Sequence, residues 1–474
     1  MASAALPSTG RNFDLNIDKI LEGWEPKHAV RELIANALDE QLLTGTPRIE
    51  IKKDPRGNWH IHDSGRGLRY EDLTQNENPE KLKNAGTVIG KFGIGLKDAL
   101  ATLNRRGIAV RLTSPHCTIS LTRAPKHGFD DVITLQAMIE PPTKTTNLGT
   151  DVELSGIADS EIEAAKDFFL CFSGERLLDE TQYGQILERR SNRSARIYVS
   201  GLLVAEEDRL AFSYNITSLT AAMRKALNRE RTNVGRTAYS DRVKAMLLAS
   251  TSEEVAELLA KDLTSIELGT QHDEVNWTDV AVHACQILNA RNKVVFVSAA
   301  ELSQSRNAVD HAVNDGYNVV TVPDNVRRLL AGAKDLQGNP VRDLAVYQQE
   351  WNDSFEFKFV GRDRLTKAEQ VTFDQWKAIV SLVGGLPNNV REVKISETMR
   401  PDFSTGQECT GLWEEDKRRI IIKRAELRSL ASFAGTLLHE LTHARTGFPD
   451  VSRQFESALT DMIGEVSRVC LSGR

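Results

Sequence analysis

The segment Ala29–Glu40, AVRELIANALDE, constrains this chain more than any other, because it gives one helix two opposed faces. Val30, Leu33, Ile34 and Ala37 recur at helical spacing and form an apolar stripe. Glu32, Asn36 and Asp39 fall at i, i+4 and i+7, on a single polar face opposite that stripe. The stripe must be buried, and the polar face then meets either water or the rest of a site.

Two segments downstream bear on that choice. Asn58–Leu68, NWHIHDSGRGL, reads as an alternating strand ending in Asp63-Ser64-Gly65-Arg66-Gly67. An acid at a strand end can accept a hydrogen bond from a ligand, while glycines let the backbone pass close beside it. Gly90–Leu100, GKFGIGLKDAL, sets glycines at 90, 93 and 95 ahead of a helical pattern. Glycines feeding a helix N-terminus turn backbone N–H groups toward phosphate, and Lys97 adds a cation.

In order, ExxxNxxD, DxGxG and GxFGxGLK resemble the GHKL ATPase superfamily: heat-shock chaperone ATPases, gyrase B, MutL, MORC proteins and histidine kinases. The third segment looks closest to the MORC and heat-shock branches. A fourth, NLGTDVEL at Asn147–Leu154, resembles the late strand whose Thr backs the adenine. The resemblance covers roughly residues 10–160 and implies a GHKL (Bergerat) α/β sandwich binding ATP and Mg²⁺. Carried over by motif, Glu32 is the general base for water, Asn36 holds magnesium, and Asp63 receives the adenine amino group with Thr150 behind it. Gly90, Phe92, Gly93, Gly95, Leu96 and Lys97 belong to the phosphate lid, and Asp39, Gly65 and Gly67 complete the cofactor-contacting set. These residue types suit phosphoryl transfer, which needs a positioned water, a hard cation and charge balance more than covalent chemistry. Histidine kinases fit less well, since no phosphoacceptor helix pair is evident.

Residues 161–250 are expected to form a second domain. After a polar, helical stretch at Asp159–Arg190, Ile197, Val199, Leu202 and Val204 mark two short strands around Ser200-Gly201. Asn233-Val234-Gly235-Arg236 then precedes an amphipathic helix. The arrangement resembles the transducer domain of the heat-shock, MutL and gyrase branches. That resemblance implies that a basic residue, Arg236 or as runner-up Arg231, reaches the terminal phosphate. An exposed basic loop, or phosphate contact with a nucleic acid through Arg229, Arg231 and Arg236, are the competing readings. Residues 251–345 begin with a helical stretch at Ser252–Leu263 and predict a β-α-β unit between Val294–Val297 and Val319–Val322.

Residues 346–474 contain His439-Glu440-Leu441-Thr442-His443. Leu430, Ala434, Leu437, Leu441 and Ala444 predict a helix with one buried face, which leaves His439 and His443 one turn apart on the other. Two imidazoles so placed can hold one Zn²⁺, and Glu440 can take a proton from bound water. A second helix, SRQFESALTDMIGEV, follows Gly447-Phe448-Pro449-Asp450, with Phe455, Leu459, Met462 and Val466 as core positions. This resembles the gluzincin metallopeptidases and implies Glu456 as third ligand, with Asp450, Asp461 and Glu465 as alternatives. Arg419–Lys423, RIIIK, would be the strand that binds extended substrate.

Composition fits an α+β multidomain chain of 474 residues, with 40% hydrophobic and 27% charged residues. A net charge of −6 gives no global pull toward nucleic acid. Five scattered cysteines, no apolar run near the roughly 20 residues of a membrane span, and no secretory signal point to the cytoplasm, without a membrane. The leading expectation is an ATP-gated zinc peptidase that dimerises with nucleotide, acts on a protein or peptide, and serves bacterial stress or anti-phage defence. The alternatives are a MORC- or MutL-like nucleic-acid ATPase, or a chaperone-like ATPase with a non-catalytic zinc site.

Overall fold

The apolar stripe of the opening helix becomes interior, together with Glu32 and Asp39 from its other face. A computed structural model of the chain describes residues 10–15, 21–73, 80–81, 88–90, 95–127, 129–142, 148–227, 234–264, 272–403 and 407–472. Within these the chain is mixed α/β and divides into two compact units, residues 1–287 and 288–474.

The first unit begins with a seven-stranded sheet. Its strands are β1 (Arg11–Asp14), β2 (Glu50–Lys53), β3 (Trp59–His62), β4 (Ala109–Thr113), β5 (Thr118–Lys126), β6 (Phe129–Glu140) and β7 (Asp151–Ser155). They run in the order β1-β6-β5-β4-β7-β3-β2, and every neighbouring pair is antiparallel. Helices α1 (Pro26–Thr44), α2 (Gly95–Arg105) and α3 (Asp159–Lys166) are joined to the sheet by one core. Val30, Leu33, Ile34 and Ala37 meet Ile61, Leu112, Ile119, Ala137 and Leu154 there, so the stripe read from the sequence is the buried one. α1 ends where Gly45 turns left-handed at φ 64° and donates its N–H to Gln41.

A five-stranded sheet follows: β8 (Leu177–Thr181), β9 (Gly184–Glu188), β10 (Ala195–Val199), β11 (Leu202–Glu207) and β12 (Phe212–Ile216), in the order β11-β10-β12-β9-β8. The β10–β11 hairpin is as expected, with Ser200 at φ 49° and Gly201 at φ 82° making a two-residue turn whose twist suits a hairpin. The polar stretch expected to be helical to Arg190 is helical only in its first part. Gly174 ends it with φ 67°, and the polar residues beyond lie on β8, an edge strand that meets water. Helices α4 (Ser240–Ala249), α5 (Glu253–Thr264) and α6 (Thr278–Arg291) follow, and the division between the units falls within α6.

Residues 251–287 were expected to belong to the middle piece and instead join the first unit. Glu274 explains why: fully buried, it accepts the N–H groups of Ala211 and Phe212 and the Tyr214 hydroxyl. Replacing that carboxylate's partners with water is impossible inside a core, so the segment is tied to β12.

In the second unit β13 (Val294–Val297) and β14 (Asn318–Thr321) are parallel, with α7 (Ala299–Gln304) and α8 (Arg306–Asn314) between them, the expected β-α-β unit. α9 (Leu344–Ser354) packs on that pair. β15 (Phe359–Val360), α10 (Lys367–Asp374), α11 (Trp376–Leu382) and β16 (Glu392–Ser396) lead to a two-residue pair, β17 (Pro401–Asp402) and β18 (Gln407–Glu408). β19 (Gly411–Glu414) and β20 (Arg419–Lys423) then give a four-stranded sheet of order β15-β16-β20-β19. α12 (Leu430–Thr446) and α13 (Arg453–Ser472) cover it through Phe433, Leu437, Leu441 and Met462. The Leu430 end of the expected stripe is exposed. No helix among the described residues is long and apolar enough to cross a membrane.

Candidate functional site

Among the described residues, two groups of side chains coincide with the sequence motifs, one in each unit. In the first, two glycine-bearing segments, one through Gly65 and one through Gly90 and Gly95, converge on α1. Glu32 is 6% exposed and Asp39 1%, so two of the three polar residues on this face are withdrawn from water. A Cβ on Gly95, at the start of α2, would lie 2.5 Å from Glu32 Oε2. A Cβ on Gly90 would lie 2.6 Å from Asp39 Oδ2, and one on Gly65 would strike the Glu40 side chain. Backbone therefore passes against these carboxylates at distances that only glycine permits.

Most of the carboxylate oxygens here have partners. Asp39 accepts the N–H groups of Ile89 (2.6 Å) and Gly90 (2.8 Å) and the Lys81 ammonium (2.8 Å). The same ammonium donates to Asn36 Oδ1 at 3.1 Å, so the amide oxygen is turned toward a cation, as a magnesium ligand must be. Arg31 donates to Glu32 Oε1 at 2.9 Å from Nη2 and 3.2 Å from Nε, and its guanidinium sits over the Trp24 and Phe168 rings. Glu40 receives Arg66 in a bidentate pair at 2.9 Å, which holds the Gly65–Gly67 turn to the helix.

Asp63 stands at the end of β3, 5% exposed, and burial raises its carboxyl above the usual range. Its Oδ1 accepts the Gly65 N–H at 2.9 Å, and its own N–H donates to the Thr150 carbonyl at 3.0 Å. Thr150 Oγ1 accepts from the Leu68 N–H at 2.9 Å, so this hydroxyl ties the two motif segments together. Gly149, at φ 78°, leaves no room for a side chain, since a Cβ would stand 1.8 Å from the Asp63 carbonyl oxygen. Gly67 is also left-handed, at φ 82°. Leu96 packs on the core and Lys97 is half-buried in the first turn of α2. Phe92 and Gly93 lie outside the described residues, as do Arg229 and Arg231. An open cavity of about 560 Å³ on the opposite face of the sheet, lined by Arg56, Arg111 and Glu153, includes none of the candidate nucleotide-contacting residues.

Arg236 opens a single helical turn before α4 and donates to Asp273 at 2.6 Å. That partner holds its guanidinium above the usual range.

In the second unit His439 and His443 stand one turn apart on α12, their Nε2 atoms 3.2 Å from each other. Asp450 Oδ1 lies 3.0 Å from His439 Nε2 and 3.2 Å from His443 Nε2. The three atoms make a nearly equilateral triangle. Donors about 2.0–2.1 Å from a tetrahedral zinc are separated by roughly 3.3 Å, so the triangle has close to the size that ion needs. His443 Nδ1–H donates to the Phe448 carbonyl at 2.8 Å, which leaves the Nε2 lone pair for a metal.

Glu456, the third ligand the resemblance implied, is exposed on α13 and absent from the triangle. Phe455 takes the inward position, its ring stacked on His443 at 4.2 Å and edge-on to His439 at 4.8 Å. Asp461 is exposed, and Glu465 pairs with Arg468, so neither of these alternatives reaches the histidines.

Glu440 is 7% exposed and accepts the backbone N–H of Trp413 on β19. Burial and then the Asp450 charge push its carboxyl up to about 8, into the range where a group gives and takes protons at neutral pH. A Cβ on Gly411 would lie 2.6 Å from Glu440 Oε1, so glycine lets α12 settle directly on this strand. RIIIK is not the open strand it was expected to be. Ile420, Ile421 and Ile422 are fully buried, and β20 is flanked by β16 and β19, which leaves β19 as the sheet edge beside α12.

Sequence reasoning passed over Lys81, Glu40 and Arg31. Glu40 and Arg31 adjoin motif residues and carry charges that burial obliges to pair, which is a usable signal. Lys81 carries none, because it reaches α1 from a segment without a motif.

Comparison with known proteins gives a family without an assigned activity. Residues 160–253 match a family model described as the Mycoplasma pneumoniae MPN635 N-terminal domain. A second uncharacterized protein of the same organism is 22% identical over 344 residues, 68% of this chain and 96% of its own length. An uncharacterized protein of Mycoplasma pneumoniae (strain ATCC 29342 / M129 / Subtype 1) is 38% identical over 245 residues, 51% of this chain and 98% of its own length. With that much of the relative covered, the chain belongs to the family of this 38%-identical Mycoplasma pneumoniae protein.

Proposed function

We propose that the chain is a GHKL-type protein that binds and hydrolyses ATP, and that its nucleotide state governs a zinc-dependent peptidase in the second unit. The observation that carries the reading is the convergence of the segments bearing Gly65, Gly90 and Gly95 on Glu32, Asp39 and Glu40, all on α1. The first three motifs, which run from Glu32 to Lys97, thus meet at one helix, and the fourth joins the second through Asp63 and Leu68.

In this reading magnesium-bound ATP supplies the electrophilic phosphorus and the charge to be balanced. Asn36 offers the amide oxygen for the cation, and Asp63 offers a buried carboxylate to the base. Glu32, with one oxygen held by Arg31, keeps the other directed at the start of α2 to take a proton from water. The N–H groups of the first turn of α2 and Lys97 stabilise anionic oxygens there.

His439, His443 and Asp450 would hold zinc with a fourth position open, where the ion supplies Lewis acidity. Glu440 is the proton carrier, and the β19 edge is the place for an extended peptide. Arg236, already paired with Asp273, is a weak point for any nucleic-acid reading.

The test combines metal analysis with a casein-type cleavage assay, with and without ATP–Mg²⁺, on the wild-type chain, Glu440→Gln and Glu32→Ala. We expect bound zinc, cleavage lost in Glu440→Gln with zinc retained, and ATP trapped in Glu32→Ala with altered cleavage. Proteolysis indifferent to nucleotide and to Glu32→Ala would sink the coupling, and no cleavage in any condition would sink the peptidase.

A further inference from the structure

Lys81 does something that the motif assignments do not use. Its ammonium sits 3.1 Å from Asn36 Oδ1 and 2.8 Å from Asp39 Oδ2, on the amide read above as the magnesium ligand. We infer that Lys81 keeps the place of the divalent cation on Asn36 in the nucleotide-free protein, so that magnesium and the lysine compete for one oxygen. The inference rests on the proposed nucleotide site.

The surroundings set the two cations against each other. Asp39 already accepts two backbone N–H groups, from Ile89 and Gly90, and its side chain is 1% exposed. A Cβ on Gly90 would stand 2.6 Å from Asp39 Oδ2 and 3.0 Å from Lys81 Nζ, so backbone closes over the ammonium. A magnesium ion at about 2.0–2.1 Å from the amide oxygen would lie within roughly 5 Å of Nζ, where two positive charges repel. Lys81 is the cation that can move away, since its side chain is 17% exposed on a flexible four-carbon stem. Its departure leaves Asp39 with two N–H donors, so the buried carboxylate stays satisfied without it.

Magnesium-dependent nucleotide binding is therefore weakened by the fraction of molecules in which Lys81 occupies Asn36. The test titrates ADP calorimetrically into the full chain at stepped MgCl₂ concentrations, for wild type, Lys81→Gln and Lys81→Met, with thermal melts to establish folding. Both neutral variants should bind ADP at a MgCl₂ concentration roughly tenfold lower than wild type. Lys81→Met decides the question should Lys81→Gln fail to fold. An unchanged or higher MgCl₂ requirement in a folded variant, with wild type still binding ADP, overturns the competition and leaves the nucleotide site standing. Absence of ADP binding by wild type at every MgCl₂ concentration overturns the nucleotide reading and this inference with it.

Discussion

A rotation of about 100° per residue along a helix separates Phe455 from Glu456 and decides which carboxylate faces the histidines. Phe455 turns inward and stacks on His443, Glu456 turns to solvent, and the loop between the helices delivers Asp450 instead. Asp450→Ala should therefore weaken zinc binding by at least about 100-fold, while Glu456→Gln should leave it within about twofold. Competition against a chelator reads both constants, and the opposite ranking would return the third ligand to α13. The histidine pair was legible from spacing because i and i+4 share a helix face whatever the rest of the chain does. Asp450 was only an alternative, since a loop residue's reach depends on how the loop closes.

Helix α10 shows what a local pattern can and cannot announce. Thr366 caps it by accepting the Glu369 N–H, and Glu369 returns the bond to the Thr366 N–H, a capping box written as TKAE. Arg424, 55 residues on, adds a bidentate pair at 2.9 and 3.0 Å. The guanidinium and the cap hold the Glu369 carboxyl down to about 2, from an ordinary 4.5. A carboxyl depressed on folding stabilises above its unfolded value and loses that contribution as pH falls toward its folded one. Glu369→Gln should thus cost about 0.5–1 kcal/mol at pH 7, and the gap from wild type should shrink between pH 4.5 and 2. Denaturant melts across that range measure it, and a gap independent of pH would rule out the ion pair as its source. β20 is the reverse case: RIIIK read correctly as a strand, yet its three isoleucines are buried because strands flank it on both sides. A short apolar run announces burial, and the neighbours determine whether an edge remains.

The two compact units, divided between Ile287 and Leu288, set expectations for the whole molecule. Each has its own core, so thermal unfolding should show two transitions rather than one. ADP–Mg²⁺ should raise the transition of the first unit, by about 2.7 kcal/mol of added stability at roughly 100 times its Kd. A zinc chelator should lower the other transition and leave the nucleotide-responsive one in place. Calorimetry separates the two, and both ligands acting on a single transition would contradict two independent cores. The sequence by itself determined the features set by short periods: the two faces of α1, the Ser200-Gly201 hairpin, the β-α-β unit and the histidine pair. Helix and strand periods, left-handed glycines and capping residues act over a few positions, and a few positions can be read directly. Only the tertiary structure decided that Lys81 lies on Asn36, that Glu274 ties residues 251–287 to β12, and that β20 is interior. Those outcomes join residues tens of positions apart, where chain closure and the need to pair every buried charge select partners that local spacing does not encode.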